Sequence, residues 1–294
     1  MKKNALIALS MIMLSVFSMT FTSCSSDDDD APVLTTPKYA ENAVRYQING
    51  TSEFSSIEFT EDGMYVITKA EESSKAKGLG NFLENKTVSR LTRSSFGDSD
   101  MYIHGKYTNN GDVYTLEGFG TVTVEKTDGK ISLKIQPTGK KAYTLSAYTT
   151  DKLEETDISD KLCRTWKFKK VRATVTKDNN VLFDKTSTKI SEVFNSLDSF
   201  YHHKAYKYTE LDEITFTKSG TQINKCVDNT ISVQKWRWTF DKNNSIYYAW
   251  DEIMFDGRNI LNISFDKNND LVLDAPLERV EGIEHITYYL SKTE

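Results

Sequence analysis

Apolar and polar residues alternate along most of the chain after residue 38. The alternation is clearest in three runs of apolar residues at every second position: Ile131, Leu133 and Ile135; Trp236, Trp238 and Phe240; and Leu261, Ile263 and Phe265. Successive side chains of a strand point to opposite faces, so this period of two predicts strands with one buried face. Segments rich in Asn and Asp at residues 177–180, 241–244 and 266–270 predict tight turns. The pattern predicts a mainly β fold of antiparallel meanders that close into barrels or sandwiches.

One segment has the period of a helix instead. Residues 189–205 place apolar side chains three and four positions apart, at Ile190, Val193, Phe194, Leu197, Phe200 and Tyr201. They predict a single inserted amphipathic helix that packs across the mouth or wall of the second barrel. A shorter helical turn is predicted at residues 157–161. Residues 70–85 are polar and small, and predict either a helix or a loose loop.

Three segments of the first half have counterparts in the second half, in the same order. Residues 56–63 match 213–220, residues 106–110 with Tyr114 match 239–244 with Tyr247, and residues 143–146 match 288–291. The matches favour two tandem copies of one antiparallel unit, and chance likeness between strand patterns is the alternative. We therefore predict an N-terminal β domain at residues 38–150 and a second β domain at residues 151–294.

The first residues have the composition of an export signal. Lys2 and Lys3 precede an almost wholly apolar run at residues 5–21, and Cys24 follows at its end. The run is short for the roughly 20 residues that span a bilayer, which favours a cleaved signal peptide at residues 1–23 over a retained membrane helix. Cys24 then becomes the acceptor of a lipid such as palmitate, and residues 24–37 form a lipidated tether.

The residues after Cys24 are Ser25, Ser26 and four aspartates, Asp27 to Asp30. This start resembles the lipoproteins of the Bacteroidota. In that group, a Ser/Asp-rich run after the lipidated cysteine is associated with delivery to the outer face of the outer membrane. The resemblance implies a protein of the outer membrane, held by lipid on Cys24 and facing the cell exterior.

Charge excludes one large class of partner. The 294 residues include 37 Lys and Arg against 42 Asp and Glu, for a net charge of −5. Nucleic-acid binding depends on a basic surface that displaces counterions, so the composition argues against a nucleic-acid partner. No strong electrostatic partner follows from so small a charge.

The start of the second unit has the look of a known family. The strand Leu162-Cys163-Arg164-Thr165-Trp166-Lys167-Phe168 resembles the opening strand of lipocalin-like domains, with Arg164 in place of the usual glycine. The resemblance covers about residues 157–294. It implies a small β-barrel with Trp166 in its core and a pocket for a ligand, and it implies no reaction.

Sequence motifs for metal or catalytic chemistry are weak. Cys163 and Cys226 either pair as a disulfide in an oxidising exterior or remain as two free thiols. Adjacent His202 and His203 point in different directions on a helix and predict a partly solvated helix end. Residues 266–270 are interpreted as a hairpin turn because Leu271 replaces the glycine of a calcium loop. We predict no metal site, no cofactor and no enzymatic activity.

The most suggestive functional residues are aromatic. Five of them lie on adjoining predicted strands: Trp236, Trp238, Tyr247, Tyr248 and Trp250. Such a cluster either forms a platform that stacks on sugars or lines a pocket, or its alternate members fill the barrel core. Trp250 and Tyr248 are our candidates for an exposed platform, and Trp236 and Trp238 for the core.

Two functional hypotheses follow. The first is a surface-anchored, non-enzymatic binding or accessory lipoprotein for a glycan or a small apolar ligand. The second is a structural lipoprotein that docks onto an outer-membrane protein complex without a small ligand. A barrel filled by its own side chains favours docking, and an open cavity favours a small ligand.

Overall fold

The computed structural model describes residues 34–50, 52–70, 101–204, 207–241, 244–249 and 259–293. The signal region, Cys24 and the aspartates at 27–30 lie outside the described residues, as do residues 71–85, Trp250 and the segment that follows it. The fold is mainly β, with two eight-stranded antiparallel barrels in tandem and, among the described residues, two helices. Both barrels belong to one compact unit, Pro32–Glu294.

The first barrel is a simple meander that closes on itself. Each strand pairs with its sequence neighbour, and β1 pairs with β8 through Tyr46 and Thr149. The strands are β1 (Val44–Ile48), β2 (Phe54–Phe59), β3 (Met64–Lys69), β4 (Tyr102–Asn110), β5 (Val113–Leu116), β6 (Gly120–Thr127), β7 (Lys130–Pro137) and β8 (Tyr143–Thr149).

The second barrel repeats this order with one addition. A short helix α1 (Ser159–Leu162) precedes the second barrel. The elements are β9 (Thr165–Lys177), β10 (Asn180–Ser187), helix α2 (Ile190–Phe200), β11 (Leu211–Phe216), β12 (Thr221–Cys226), β13 (Ile231–Trp238), β14 (Ser245–Ala249), β15 (Ile260–Phe265), β16 (Leu271–Arg279) and β17 (Gly282–Lys292). The wall of this barrel is closed by pairing between its first strand, β9, and its last strand, β17.

Strand β9 has two different partners along one of its sides. Its first residues pair with β11, its later residues pair with β10, and β17 lies along its other side throughout. The barrel wall is therefore formed by β9 and β11–β17. Strand β10 is an additional strand that pairs with the part of β9 that lies beyond its pairing with β11. Helix α2 connects β10 to β11 and buries Ile190, Val193, Phe194 and Leu197 against the core of the barrel. The inserted helix is confirmed, with bounds shorter than the predicted 189–205, because Tyr201 ends it and His202 has a φ of 56°.

Two of the three pairs of similar segments occupy equivalent elements, 56–63 with 213–220 and 143–146 in β8 with 288–291 in β17. In the third pair, residues 106–110 lie in β4, whereas the described residues of 239–244 follow β13 in the turn to β14. Residues 56–63 and 213–220 each form a strand and a turn that open a hairpin, β2–β3 in one barrel and β11–β12 in the other. In both turns a glycine has a φ near 80°, Gly63 at 80° and Gly220 at 77°. In both, a threonine hydroxyl accepts the backbone N–H four residues later, Thr60 from Met64 and Thr217 from Thr221. Two tandem units with one strand order account for these likenesses.

These two hairpins meet where the barrels touch. Thr217 Oγ1 donates to Glu58 Oε1 at 2.7 Å, and the Lys218 backbone N–H donates to Glu61 Oε1 at 2.9 Å. The Thr165 backbone N–H donates to the Asp62 carboxylate. A small apolar cluster beside them contains Val66, Ile223 and Ile231, with Tyr102 and Val233 packed against it. We call the end of the second barrel that carries the turn at residues 217–220 the interface end, and the opposite end the far end.

Candidate functional site

The aromatic residues predicted as a platform fall on both faces of the second barrel. Trp236 and Tyr248 are opposite each other on β13 and β14, and are 2% and 3% exposed. The Trp236 ring lies 5.9 Å from Phe216 and 5.0 Å from Trp238, and Trp236 Nε1 donates to the Thr217 carbonyl at 3.1 Å. Our assignment of Tyr248 to an exposed platform is wrong, because its register with Trp236 turns its ring into the core.

The other members of the set do not assemble a platform either. Trp238 is half-buried at the interface end, where its Nε1 donates to the Glu154 carbonyl at 2.9 Å. Tyr247 lies on the outer face, half-buried, with the Arg237 guanidinium 5.7 Å from its ring centroid. Trp250 lies outside the described residues. Among the described candidates, Tyr247 alone offers an outward-facing ring.

Polar side chains inside the second barrel were not foreseen from the sequence. Gln222 is opposite Phe216 and Gln234, and Asn224 is opposite Ile214 and Ser232, so these polar residues share the inner face with the core. Gln222 Nε2 donates to Asn224 Oδ1 at 2.9 Å, and Asn224 Nδ2 donates to Ser232 Oγ at 3.3 Å. On β12 the apolar Ile223 faces outward and packs against the first barrel, whereas the polar Gln222 and Asn224 face inward. This is the reverse of the usual pattern, in which the apolar side chains of a strand face the barrel core.

Both barrel interiors are occupied by the protein's own side chains. In the second barrel the core joins Trp166, Phe216, Trp236 and helix α2, and the inward polar residues are buried as deeply. In the first barrel, the rings of Phe59 and Tyr114 stack at 4.0 Å. The described inward positions are thus filled with side chains, which is the arrangement that favours contacts on the outside of a barrel.

The two described cysteines are free thiols. Cys163 is buried beside helix α1, and Cys226 is half-buried at the end of β12. Burial raises the pKa of both thiols, so both are held in the neutral form. Of the two alternatives, the structure has the free thiols and not the disulfide.

The remaining polar motifs have structural positions. His202 and His203 are exposed just beyond helix α2, and residues 266–270 form the turn between β15 and β16, closed by the Asp266 N–H and the Asp270 carbonyl at 2.9 Å. Among the described residues, no group of three or more His, Cys, Asp or Glu side chains is placed to share a metal ion. None of the helices in that part of the chain is long and apolar enough to cross a membrane.

The most exposed regular feature of the second barrel is strand β10. In the described part of the chain it pairs with β9 alone, so its other edge is open. Val181 and Leu182 on β10 are 64% and 47% exposed, and the register shifts between Val181 and Phe183. Thr176 of β9 pairs with Val181 on one side and with Ile283 of β17 on the other, which brings Ile283 into the same row.

Four exposed apolar residues lie on neighbouring strands and turns at the far end. We call Val181, Leu182, Val280 and Ile283 the apolar tip. The carbonyl of Val280 accepts from Lys177 Nζ at 3.3 Å, which joins the β16–β17 turn to the β9–β10 turn. The sequence predicts the turn at residues 177–180, but the exposed strand beyond that turn was missed. The feature of the sequence that marks this strand is the run Val181-Leu182-Phe183, in which apolar residues do not alternate with polar ones.

The first described residues contact the second barrel at the end opposite the apolar tip. Leu34 packs against the core of the second barrel, and the Thr35 carbonyl accepts from Arg164 Nη1 at 3.1 Å. Arg164 precedes β9, which runs from Thr165 at the interface end to Lys177 at the far end. The described chain therefore starts at the interface end, about 40 Å along β9 from the apolar tip.

The chain matches no protein-family model and no curated protein. Among solved structures it is similar to intact Ap-TbpB with its N and C lobes, at 11% sequence identity and a TM-score of 0.22, over 80% of this chain and 54% of that chain. It is also similar to the vaccine antigen transferrin-binding protein B from Haemophilus parasuis Hp5, at 13% identity and a TM-score of 0.22, over 80% and 52%. The chain spans about half the length of these structures. Similarity at this level says nothing about a shared ligand, and the barrels stand on the sheet pairing described above.

Proposed function

We propose that this chain is a lipid-anchored, non-enzymatic binding or accessory protein of a bacterial outer membrane, and that it binds its partner on the outside of its barrels. The observation that carries the proposal is the filling of both barrels by their own side chains. A small apolar ligand in the interior, which we expected as one alternative, would compete with Trp166, Trp236 and Tyr248 for the same space.

The anchor and the body fit this role together. The apolar run followed by Cys24 supports export and lipidation, and the first described residues lie at the interface end of the second barrel. Nine residues, 25–33, separate Cys24 from Leu34, and the chain from Cys24 to Leu34 reaches at most about 35 Å when fully extended. Such a tether holds the interface end towards the membrane and presents the far end to the surroundings. We also propose the division into domains at residue 150, between β8 and the chain that leads into α1.

Lipidation and surface display are tested with Cys24→Ala in the native host. We expect the variant to lose labelling by a palmitate analogue and to move from the membrane to the soluble fraction. Wild type should be degraded by protease added to intact cells. Ser26→Ala is the matched control and should label and fractionate like wild type. A Cys24→Ala protein that still labels and sediments with membranes would disprove the anchor.

The outside-binding part of the proposal has its own readout. The soluble mature chain, residues 24–294 with Cys24→Ala, should give no saturable change in tryptophan emission with a fluorescent fatty acid, because Trp166 and Trp236 are 0% and 2% exposed and packed among the protein's own core side chains. Saturable fatty-acid binding that quenches these tryptophans would overturn the proposal in favour of an interior ligand.

A further inference from the structure

We propose that the open edge of β10 is a docking site for an extended segment of a partner protein, which adds to the second barrel as an antiparallel strand. This inference rests on the proposed binding role and names the surface and the kind of partner. A sheet edge carries a row of backbone N–H and C=O groups that another chain can pair with. β10 offers eight residues, Asn180–Ser187, with a partner on one side only in the described part of the chain.

Among the described residues no strand pairs with the second edge of β10, although the strand carries two features that commonly protect edges, the exposed Lys185 and the bulge between Val181 and Phe183. Edges are commonly blunted by short length, by charged side chains or by a covering element. β10 is longer than an average strand, and its first half is the apolar run Val181-Leu182-Phe183. Its one acidic residue, Asp184, is already bound to Arg172, whose Nε and Nη2 donate to it at 2.9 and 2.7 Å. The apolar half of the edge thus carries no charged side chain, and the bulge between Val181 and Phe183 lies within it.

The side chains of β10 define the chemistry of the partner. Phe183 faces inward and packs on Phe200 of helix α2, at a ring distance of 5.3 Å, whereas Val181 and Leu182 remain exposed. A matching segment carries apolar, strand-forming residues opposite Val181 and Leu182 and an acidic residue opposite Lys185, which is exposed. Exposed Val280 and Ile283 on the neighbouring turn and strand extend the apolar contact beyond the edge itself.

The position of the first described residues, at the interface end, argues that the partner on the β10 edge is a different protein rather than a second copy of this chain. Antiparallel pairing of β10 with β10 of another copy requires a two-fold axis normal to the sheet, which reverses the strand direction. The two interface ends, and the two tethers that leave them, would then point in opposite directions. Two copies held on one membrane by tethers of about 35 Å are poorly placed to do this. A partner that approaches from the surroundings meets the far end directly.

The test selects strands from a phage-displayed library of random decapeptides on the soluble mature chain with Cys24→Ala. We expect enriched peptides with apolar residues at alternate positions. Their synthetic versions should slow amide hydrogen exchange at residues 180–187 on binding. Leu182→Lys should weaken the binding of these peptides about tenfold or more, since a lysine on a sheet edge opposes pairing with another strand. Val227→Lys is the control, because Val227 is 64% exposed on a different turn, and it should leave binding unchanged.

Three results would overturn the inference. The first is a selection that enriches no peptide. The second is a set of peptides that bind Leu182→Lys as well as wild type, or that leave exchange at residues 180–187 unchanged. The third is a dimer of the unliganded chain, measured by light scattering, that Leu182→Lys converts to monomer, because the edge would then belong to a second copy. The soluble chain carries no lipid, so these outcomes are separate from a failure of the anchor.

Discussion

At the scale of single residues, Trp166 shows how a family-like motif becomes a structural role. Its side chain is 0% exposed, its Nε1 donates to the Leu162 carbonyl at 3.0 Å, and its ring lies 5.9 Å from Phe265. It therefore ties helix α1 to the first strand of the second barrel and fills the core beneath it. The polar tip of the indole is satisfied by a backbone carbonyl, which is what allows so large a side chain to be fully buried.

We expect Trp166→Ala to lower the free energy of unfolding by about 3–5 kcal/mol, through lost burial and an unfilled cavity. The measurement is a guanidinium melt of the soluble chain. Phe240→Ala is the matched control, because Phe240 is 100% exposed, and its effect should stay within about 0.5 kcal/mol. A Trp166→Ala chain that melts with the control would show that this tryptophan does not support the barrel.

The candidate site was less predictable than the core for a reason visible in two residues. Tyr247 and Tyr248 are neighbours, and sequence alone establishes only that they face opposite sides of one strand. Which of them faces the core depends on the register with β13, where Tyr248 is opposite Trp236. On β12 the polar Gln222 faces inward and the apolar Ile223 faces the other barrel. Polarity therefore misleads wherever an outer face is itself buried.

At the scale of elements, the hairpin turns explain why one short sequence match, residues 56–63 with 213–220, carried so much information. The turns at 60–63 and 217–220 share the threonine that caps the turn and the glycine that closes it. The local chemistry of such a turn is readable from sequence because it depends on neighbours in the chain. The open edge of β10 could not be predicted from the sequence. It arises because β9 extends beyond the end of its pairing with β11 and pairs there with β10 instead.

Gly220 is a turn residue whose backbone leaves little room for a side chain. Its φ is 77°, and an added Cβ would lie 3.0 Å from the Trp236 carbonyl oxygen and 3.4 Å from Leu153. Gly139 has a similar φ of 74° with nothing within 4 Å of such a Cβ. We expect Gly139→Ala to cost about 1–2 kcal/mol for the left-handed conformation alone.

We expect Gly220→Ala to cost about 1 kcal/mol or more beyond that control, because backbone at the barrel interface must shift as well. Thermal or denaturant melts of the two variants provide the comparison. Equal losses at Gly220 and Gly139 would mean that the turn at the interface adjusts freely, contrary to the close approach of Trp236.

At the scale of the whole molecule, the described contact between the barrels contains three carboxylates. Glu58, Glu61 and Asp62 all come from the β2–β3 hairpin region and reach donors of the second barrel. Glu61 is 2% exposed, and burial is the main cause that raises its pKa to about 7, with the charges of Glu58 and Asp62 adding to it. The backbone N–H of Lys218 opposes this rise by donating to Oε1. Burial also raises the pKa of Asp62.

The direction in which stability changes with pH depends on whether the folded or the unfolded chain binds the Glu61 proton more tightly. The folded protein keeps the Glu61 proton up to a pH of about 7, whereas an unfolded chain releases it near the ordinary pKa of 4.5. The stability that Glu61 contributes is thus fully present below the unfolded pKa and is lost as the pH rises through the folded one. The groups that face it are Glu58 and Asp62 on its own hairpin, Tyr107 of β4, and Cys163 and Lys218 of the second barrel.

We expect the free energy of unfolding of wild type to fall by about 2 kcal/mol more than that of Glu61→Gln between roughly pH 5.5 and pH 8. Glutamine keeps the acceptor for the Lys218 N–H but cannot ionise, so the variant should be less sensitive to pH while Asp62 retains a part of the slope. Urea melts across this range give the comparison. Glu125→Gln removes an exposed carboxylate from β6 and should follow the wild-type slope. Parallel slopes for wild type and Glu61→Gln would mean that Glu61 is ionised throughout this range. The barrel contact would then not strengthen on acidification through this residue.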